Sequence, residues 1–268
     1  MNTETIEPSS SQDPKIRPLQ AVTLSVIIPA YNEAATIEAV LDGVWRTGVA
    51  YQIIVVDDGC GDQTGSIAGR WAERMGRSVV LITHDRNLGK DSAIRSALPY
   101  VTGSHVVIQD ADLECDPTDL IRLLAALDRH QVAVVYGSRY LGNHFKGFGR
   151  SWNRVGVRFL NWLFWISYGR SLTDEAACYK LLPTALLRSL ELRCRRFEFC
   201  PEVTAKLCRL GWPIVEVSVR YHPRSVDEGK KIQVIDGLLA IACILRWRIA
   251  PLPGSALRPV GNINYENF

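Results

Sequence analysis

The residues best equipped for chemistry in this 268-residue chain are carboxylates in short clusters. Asp110-Ala111-Asp112 is the sharpest of these. In an extended segment, residues i and i+2 point to one side, so both carboxylates can face one hard cation. Mg2+ or Mn2+ is typically held by one or two carboxylates together with substrate phosphate oxygens. Glu114 follows closely enough to orient a metal-bound water or one of the aspartates. A solvated acidic turn ahead of Pro117 and the next helix is the other reading of the same run. Asp57-Asp58-Gly59 is open in the same way. Asp-Gly is a common turn pair and Asp62 a plausible helix N-cap, yet two adjacent carboxylates can also accept hydroxyl protons from a ligand.

Two glycine-containing stretches fail as phosphate cradles. Gly59-Cys60-Gly61-Asp62-Gln63-Thr64-Gly65 has the spacing G-x-G-x-x-x-G, not G-x-G-x-x-G, and Asp57-Asp58 would repel a pyrophosphate there. Gly89-Lys90-Asp91-Ser92 resembles the end of a P-loop, but an acid follows the lysine and His84 stands where the first glycine belongs. His84, His105, His130, His144 and His222 are scattered without paired ligand spacing and read as structural.

The elements that must position these residues are legible as alternating patterns. Val22–Ile28, Gln52–Val56, Val79–Ile82, His105–Ile108 and Val132–Val135 are nearly continuous apolar runs, as expected of strands buried on both faces. Helix-period patterns lie between them at Ala34–Trp45, Gly65–Met75, Asp91–Leu98 and Thr118–Asp128. The alternation predicts an α/β fold with a mostly parallel sheet flanked by helices. Ligands of such sheets bind beyond the carboxyl ends of the strands, and those ends carry the polar residues: Tyr31, Asn32 and Glu33; Asp57 and Asp58; Asp110 and Asp112; Ser138 and Arg139. Pro213–Tyr221 alternates like a half-buried strand.

The net charge of +3 argues against a nucleic-acid binder. The seven cysteines lack C-x-x-C spacing and fit a reduced compartment better than a disulfide framework or zinc site. Residues 1–20 read as a disordered leader, and no run reaches the length of a membrane-spanning helix. Charge is unevenly spread, however. Gly137–Arg170 contains no Asp or Glu, carries Arg139, Arg150, Arg154, Arg158 and Arg170, and includes Trp152, Trp162 and Trp165. That composition suits an amphipathic helix at an anionic membrane surface, the alternative being a core helix with a solvated basic face. Leu238–Leu245, followed by Arg246, Trp247 and Arg248, is a second candidate.

The stretches Ser25–Glu33, Ile54–Gly59, Asn87–Lys90, Asp110–Glu114 and Gly137–Arg139 occur in the order found in the family 2 glycosyltransferases of GT-A fold, and the chain resembles that family over roughly residues 22–248. Phe197–Phe199, Pro201–Lys206 and Arg224–Lys231 resemble its dolichyl-phosphate mannose synthase branch, which includes polyprenyl-phosphate glucosyl transferases. The resemblance implies a catalytic domain over 21–231, with 137–170 facing acceptor and membrane, and a C-terminal amphipathic helix and tail over 232–268. It implies that Pro29, Tyr31 and Glu33 line a nucleoside pocket, with Val55 and Asp57 against base and ribose. Asp110, the Ala111 backbone and Asp112 would hold metal and diphosphate, with Glu114 in the metal set. Arg139, Arg224 and Lys230 would neutralise phosphates. The catalytic set is then Asp110, Asp112 and Arg139. Cys60, Asp91, Glu114 and Cys178 depart from the usual pattern and bear on which sugar is moved.

The implied reaction is transfer of a hexose, mannose favoured, from GDP-mannose or UDP-glucose to a dolichyl or undecaprenyl phosphate on the cytoplasmic face of a membrane, by a peripheral protein. A phosphate monoester is largely dianionic at neutral pH, so it can attack the anomeric carbon without the general base a sugar hydroxyl needs, and in-line attack inverts that carbon. A glucosyltransferase of the same kind, a transferase acting on a soluble hydroxyl, and a non-catalytic membrane-docking scaffold are the alternatives; the last is disfavoured by the intact acidic and basic residues.

Overall fold

A computed structural model describes residues 22–76, 78–141, 152–194, 197–224 and 234–259. The leader expected at 1–20, Arg150, Lys230 and the end of the tail lie outside the described residues, as do the side chains of Trp152 and Arg154. The expected alternation is present as β1 (Leu24–Ala30), α1 (Ile37–Arg46), β2 (Ala50–Asp57), α2 (Thr64–Met75), β3 (Val79–Thr83), α3 (Lys90–Ala97), β4 (His105–Ile108), α4 (Asp119–His130) and β5 (Val134–Ser138). Then follow α5 (Trp152–Tyr168), β6 (Lys180–Pro183), α6 (Thr184–Ser189), α7 (Phe199–Leu210), β7 (Ile214–Ser218) and α8 (Val234–Ile249).

The seven strands form one sheet in the order β3-β2-β1-β4-β6-β5-β7. All pairings are parallel except those of β6, which runs against both β4 and β5. β1 is an interior strand between β2 and β4, and its seven residues are all buried, which explains its unbroken apolar run. One layer packs α1, α2 and α4 on the sheet through Val40, Val44, Trp71 and Leu123. The other packs α3, α6 and α7 through Ile94, Leu187 and Val203. Each such side chain contributes about 1.5–3 kcal/mol relative to exposure.

Chain direction across the sheet decides where a ligand can sit. β2 and β3 lie on one side of β1, whereas β4 lies on the other. The topological switch point is therefore between β1 and β4, the usual ligand crevice of such folds. Asn32 and Glu33 leave one lip, and Asp110–Asp112 the other.

α5 and α8 pack together and onto α7 through Phe164, Ile244 and Trp247, with the Tyr168 hydroxyl donating to the Ile244 carbonyl at 2.7 Å. Val155, Phe159, Trp162 and Ile166 recur at helical spacing and remain exposed, as do Leu238, Leu245 and Ile249 of α8. No helix among the described residues is long and apolar enough to cross a membrane.

Candidate active site

The acidic loop after β4 is built around one unusual backbone position. Leu113 has φ +58°, in the left-handed region that bulky residues rarely adopt. The Asp112 carboxylate accepts the Glu114 N–H at 3.1 Å across this turn. The Ala111 carbonyl accepts the Thr36 hydroxyl at 2.7 Å, tying the loop to the start of α1. On the opposite lip, Asn32 is also left-handed at φ +50° and accepts the Gly61 N–H through its side chain at 2.8 Å.

Asp110 and Asp112 keep about a quarter of their side-chain surface exposed, and each faces a cation. Asp110 pairs with Lys90 at the N-terminus of α3. Burial opposes the charge on Lys90, but the Asp110 carboxylate outweighs it and holds the ammonium well above the ordinary lysine range. Asp112 Oδ2 lies 3.9 Å from Arg224 Nη2. Lys90 was not among the residues assigned a role from sequence; its place directly after Asn87-Leu88-Gly89 was the available signal.

Glu114 does not join the two aspartates. One oxygen accepts the Tyr221 hydroxyl at 2.7 Å and the other the Arg224 N–H at 2.9 Å. Both carboxylate oxygens thus accept from the segment after β7; a place for Glu114 in the metal set stays an expectation from the resemblance. No group of three His, Cys, Asp or Glu placed to hold a metal occurs among the described residues. Two partly exposed carboxylates nevertheless fit Mg2+ or Mn2+, which are commonly held by one or two carboxylates with phosphate oxygens and water completing the shell. Asp110 and Asp112 are the residues that would hold it.

Arg224 spans the crevice. Its Nη2 is 2.7 Å from Glu33 Oε2, and its Nε donates to the Asp112 carbonyl at 2.9 Å. Glu33 is further fixed by the Thr64 hydroxyl, which accepts the Glu33 N–H at 2.8 Å. Tyr31 is the exposed aromatic at the mouth, 36 % accessible. Pro29 and Val55, expected as pocket walls, are instead enclosed in the sheet, with Val55 only 1 % exposed among the core side chains. Position 55 faces α2 across a strand covered on both sides, so it presents no surface to a base.

The two aspartates after β2 divide their roles. Asp58 is 2 % exposed and accepts from His84 Nδ1 at 2.7 Å, Leu88 N at 2.9 Å and Gly89 N at 2.8 Å, which clamps the loop leading into Lys90. Asp57 accepts the Cys60 N–H at 2.9 Å. A side chain at Gly65 would stand 2.0 Å from Asp57 Oδ2, so glycine is required there for this carboxylate to keep its place.

Arg139, at the end of β5, meets Asp174 in a two-point pair, Nε–Oδ2 at 2.7 Å and Nη2–Oδ1 at 2.8 Å. Asp174 is itself oriented by the Glu216 carboxylate, which accepts the Thr173 and Asp174 N–H groups at 2.7 and 3.0 Å. Burial disfavours the Arg139 charge, but Asp174 more than offsets it and holds its pKa well above the usual range. The pair uses two of the five guanidinium N–H donors, and the guanidinium also lies 5.0 Å over the Tyr221 ring. No role follows from sequence for Asp174, Glu216 or Tyr221; Thr173-Asp174, which resembles a stretch of the family pattern, was the only signal.

The doubly wound α/β sheet is of GT-A type, and acidic residues and arginines meet at its switch point. Residues 25–185 match the sequence profile described as Glycosyl transferase family 2, and the chain belongs to that family. Among similar proteins is the undecaprenyl-phosphate 4-deoxy-4-formamido-L-arabinose transferase of Edwardsiella ictaluri, 29 % identical over 213 residues. That match covers 77 % of this chain but only 62 % of the relative. The dodecaprenyl-phosphate galacturonate synthase of Rhizobium johnstonii is 24 % identical over 246 residues, covering 87 % of this chain and 70 % of the relative. In fold, the chain is similar to the glucosyl-3-phosphoglycerate synthase of Mycobacterium tuberculosis solved with Mn2+, UDP and phosphoglyceric acid. The TM-score is 0.66 at 21 % identity, over 86 % of this chain and 80 % of that one.

Proposed function

We propose that this protein transfers a sugar from a nucleoside diphosphate donor to a polyprenyl phosphate at a membrane surface, with inversion at the anomeric carbon. The observation that carries the reading is the Asp110–Asp112 pair at the switch point, flanked by Lys90, Arg224 and Arg139. Carboxylates there suit a divalent ion, and cations suit phosphates on either side of it. The names of the relatives support a polyprenyl phosphate acceptor.

In this mechanism the acceptor phosphate oxygen attacks the anomeric carbon and the nucleoside diphosphate leaves. The dianion needs no base, so the residues' task is to bring two anionic groups together by preorganised positive charge. Arg224, held by Glu33, fronts the donor side; Arg139, held by Asp174, fronts the acceptor. Lys90 fixes Asp110. A bound divalent ion would supply Lewis-acid stabilisation of the leaving diphosphate.

The exposed apolar faces of α5 and α8 support peripheral docking on a membrane; the cytoplasmic leaflet follows from the family resemblance alone. Mannose, favoured by the motif resemblance, enters beside the sugars for which the relatives are named, a formamido-arabinose and galacturonate. The deciding experiment incubates the chain with Mn2+, undecaprenyl phosphate in detergent and, separately, labelled GDP-mannose, UDP-glucose, UDP-galacturonate or the UDP-formamido-arabinose. Label extracted with lipid identifies the donor; label in no lipid product with any donor overturns the reading.

A further inference from the structure

A cavity of about 620 Å3 lies away from the strand-end residues, between α3, the segment before α7, and α8. Arg95, Arg193 and Arg246 line it together with Leu192, Leu239 and Trp247. Three arginines from three separate segments therefore border one space, beside an apolar wall.

The acids nearby leave the lining net positive: Lys206 pairs with Glu202, and Glu198 stands against three arginines. Glu202 also lines the cavity, but its carboxylate accepts from Lys206 Nζ at 2.5 Å and from the N–H groups of Arg193 and Cys194 at 2.9 and 2.6 Å. Glu198, the other acid in the lining, accepts the Phe197 N–H at 3.2 Å. Arg95 is the anomaly. Its Nε is buried without a hydrogen-bond partner, and its Nη2 makes only a long contact, to Ser92 Oγ at 3.3 Å. A buried guanidinium N–H without an acceptor is costly, so Arg95 gains from any anion toward which its side chain can turn in the cavity it lines.

We infer that this cavity is a second phosphate site, separate from the transfer site, which grips the phosphate headgroup of an anionic lipid. Arginine forks match tetrahedral phosphate oxygens. Leu239 and Trp247 lie on the cavity side of α8, while Leu238, Leu245 and Ile249 of the same helix face outward. A headgroup held at Arg95 and Arg246 thus leaves its hydrocarbon chain beside the surface-exposed apolar residues of α8. The site would fix how the domain sits on a membrane, independently of which sugar it moves.

The test is calorimetric titration of the full chain, without sugar donor, with dihexanoyl phosphatidic acid below its micelle concentration and, separately, with inorganic phosphate. The lipid should bind at least about tenfold more tightly than phosphate, and Arg95→Gln or Arg246→Gln should each weaken it about tenfold. Arg246 is exposed, so its variant keeps the fold. Ala242→Trp, which fills the cavity without removing charge, should also abolish binding. Arg46→Gln on α1 should change nothing. Equal affinity for the two ligands, both lost in Arg95→Gln, would keep the phosphate site and overturn the lipid as its source. Lipid binding unaffected by all three cavity variants would overturn the site. No donor sugar is involved, so neither result depends on whether transfer is observed.

Discussion

Arg224 reaches across the switch point to Glu33, Nη2 to Oε2 at 2.7 Å, joining the segment after β7 to the loop after β1. The residues are 191 positions apart, so their meeting records the whole topology between them. Because Arg224 also holds the Asp112 carbonyl at 2.9 Å, Glu33 acts on the acidic loop through it. Glu33→Gln should lower turnover about 10- to 100-fold by loosening Arg224, and Arg224→Ala should lower it further. In a double-mutant cycle the two should be strongly non-additive. Additive losses would show that Glu33 contacts the donor directly and does not act through Arg224.

Asp110 and Asp112 should separate by stability, although on the proposed function both should be needed for transfer. Asp110→Asn leaves Lys90 without its carboxylate partner and should cost about 1–3 kcal/mol. Asp112→Asn keeps an oxygen to accept the Glu114 N–H and should cost under about 1 kcal/mol. Transfer should fall at least about 100-fold in each, and chelation of divalent ions should do the same to the unaltered protein. Urea unfolding beside a transfer assay measures both; near-normal activity in Asp112→Asn would remove that residue from the metal set.

Much of this site was legible because the chemistry sits at strand ends, and strand ends are visible wherever an apolar run stops at a polar cluster. Asp57, Asp110 and Arg139 were found in this way. What spacing could not show was direction. Glu114 follows Asp112 at the interval that keeps an extended chain's side chains together, but the left-handed turn at Leu113 breaks that regularity. Val55 was placed against the base by the family resemblance alone, and the helix layers show that both faces of β2 are covered there. β6 was missed because four residues ending in proline carry no periodicity. Thr173-Asp174 resembles the family pattern, but the role of Asp174 stayed hidden because its partner, Arg139, ends a strand 35 residues away.

Two buried acids should make the protein less stable at high pH. Burial pushes the Asp91 and Glu175 carboxyls up to about 7, against the pull of Lys90 and Lys180 respectively. Unfolded, each ionises near pH 4. Between about pH 4 and 7 the native state holds more protons than the unfolded state, so stability falls as pH rises through this window and stays lower above it. The two acids together should amount to a few kcal/mol between pH 5 and 8. Glu175→Gln should flatten part of that slope in urea unfolding at the two pH values; an unchanged slope would mean that Glu175 is ionised when folded.

The exposed stripe on α5 should drive membrane association. Trp162 and Trp165 are more than half exposed, on a helix bearing Arg158 and no acid. Trp162→Ser with Trp165→Ser should reduce sedimentation with phosphatidylglycerol vesicles about tenfold or more. Thermal stability should be unchanged or slightly raised, because neither side chain is in the core. Vesicle binding that survives the double substitution would move the docking surface elsewhere.

Asp174 should matter through Arg139 alone. Its carboxylate is 0 % exposed and accepts the Arg139 N–H, Nε and Nη2 groups, so it sets both the charge and the direction of that guanidinium. Asp174→Asn replaces one acceptor oxygen with an amide donor facing Arg139. Losing one partner of a buried pair costs about 3–5 kcal/mol, part of which the remaining oxygen recovers, so a loss of about 2–3 kcal/mol is expected. In transfer assays the KM for polyprenyl phosphate should rise about tenfold while the KM for the sugar donor stays within about twofold. A matching rise in both would place Arg139 on the donor diphosphate, and the assignment of this pair to the acceptor would fall.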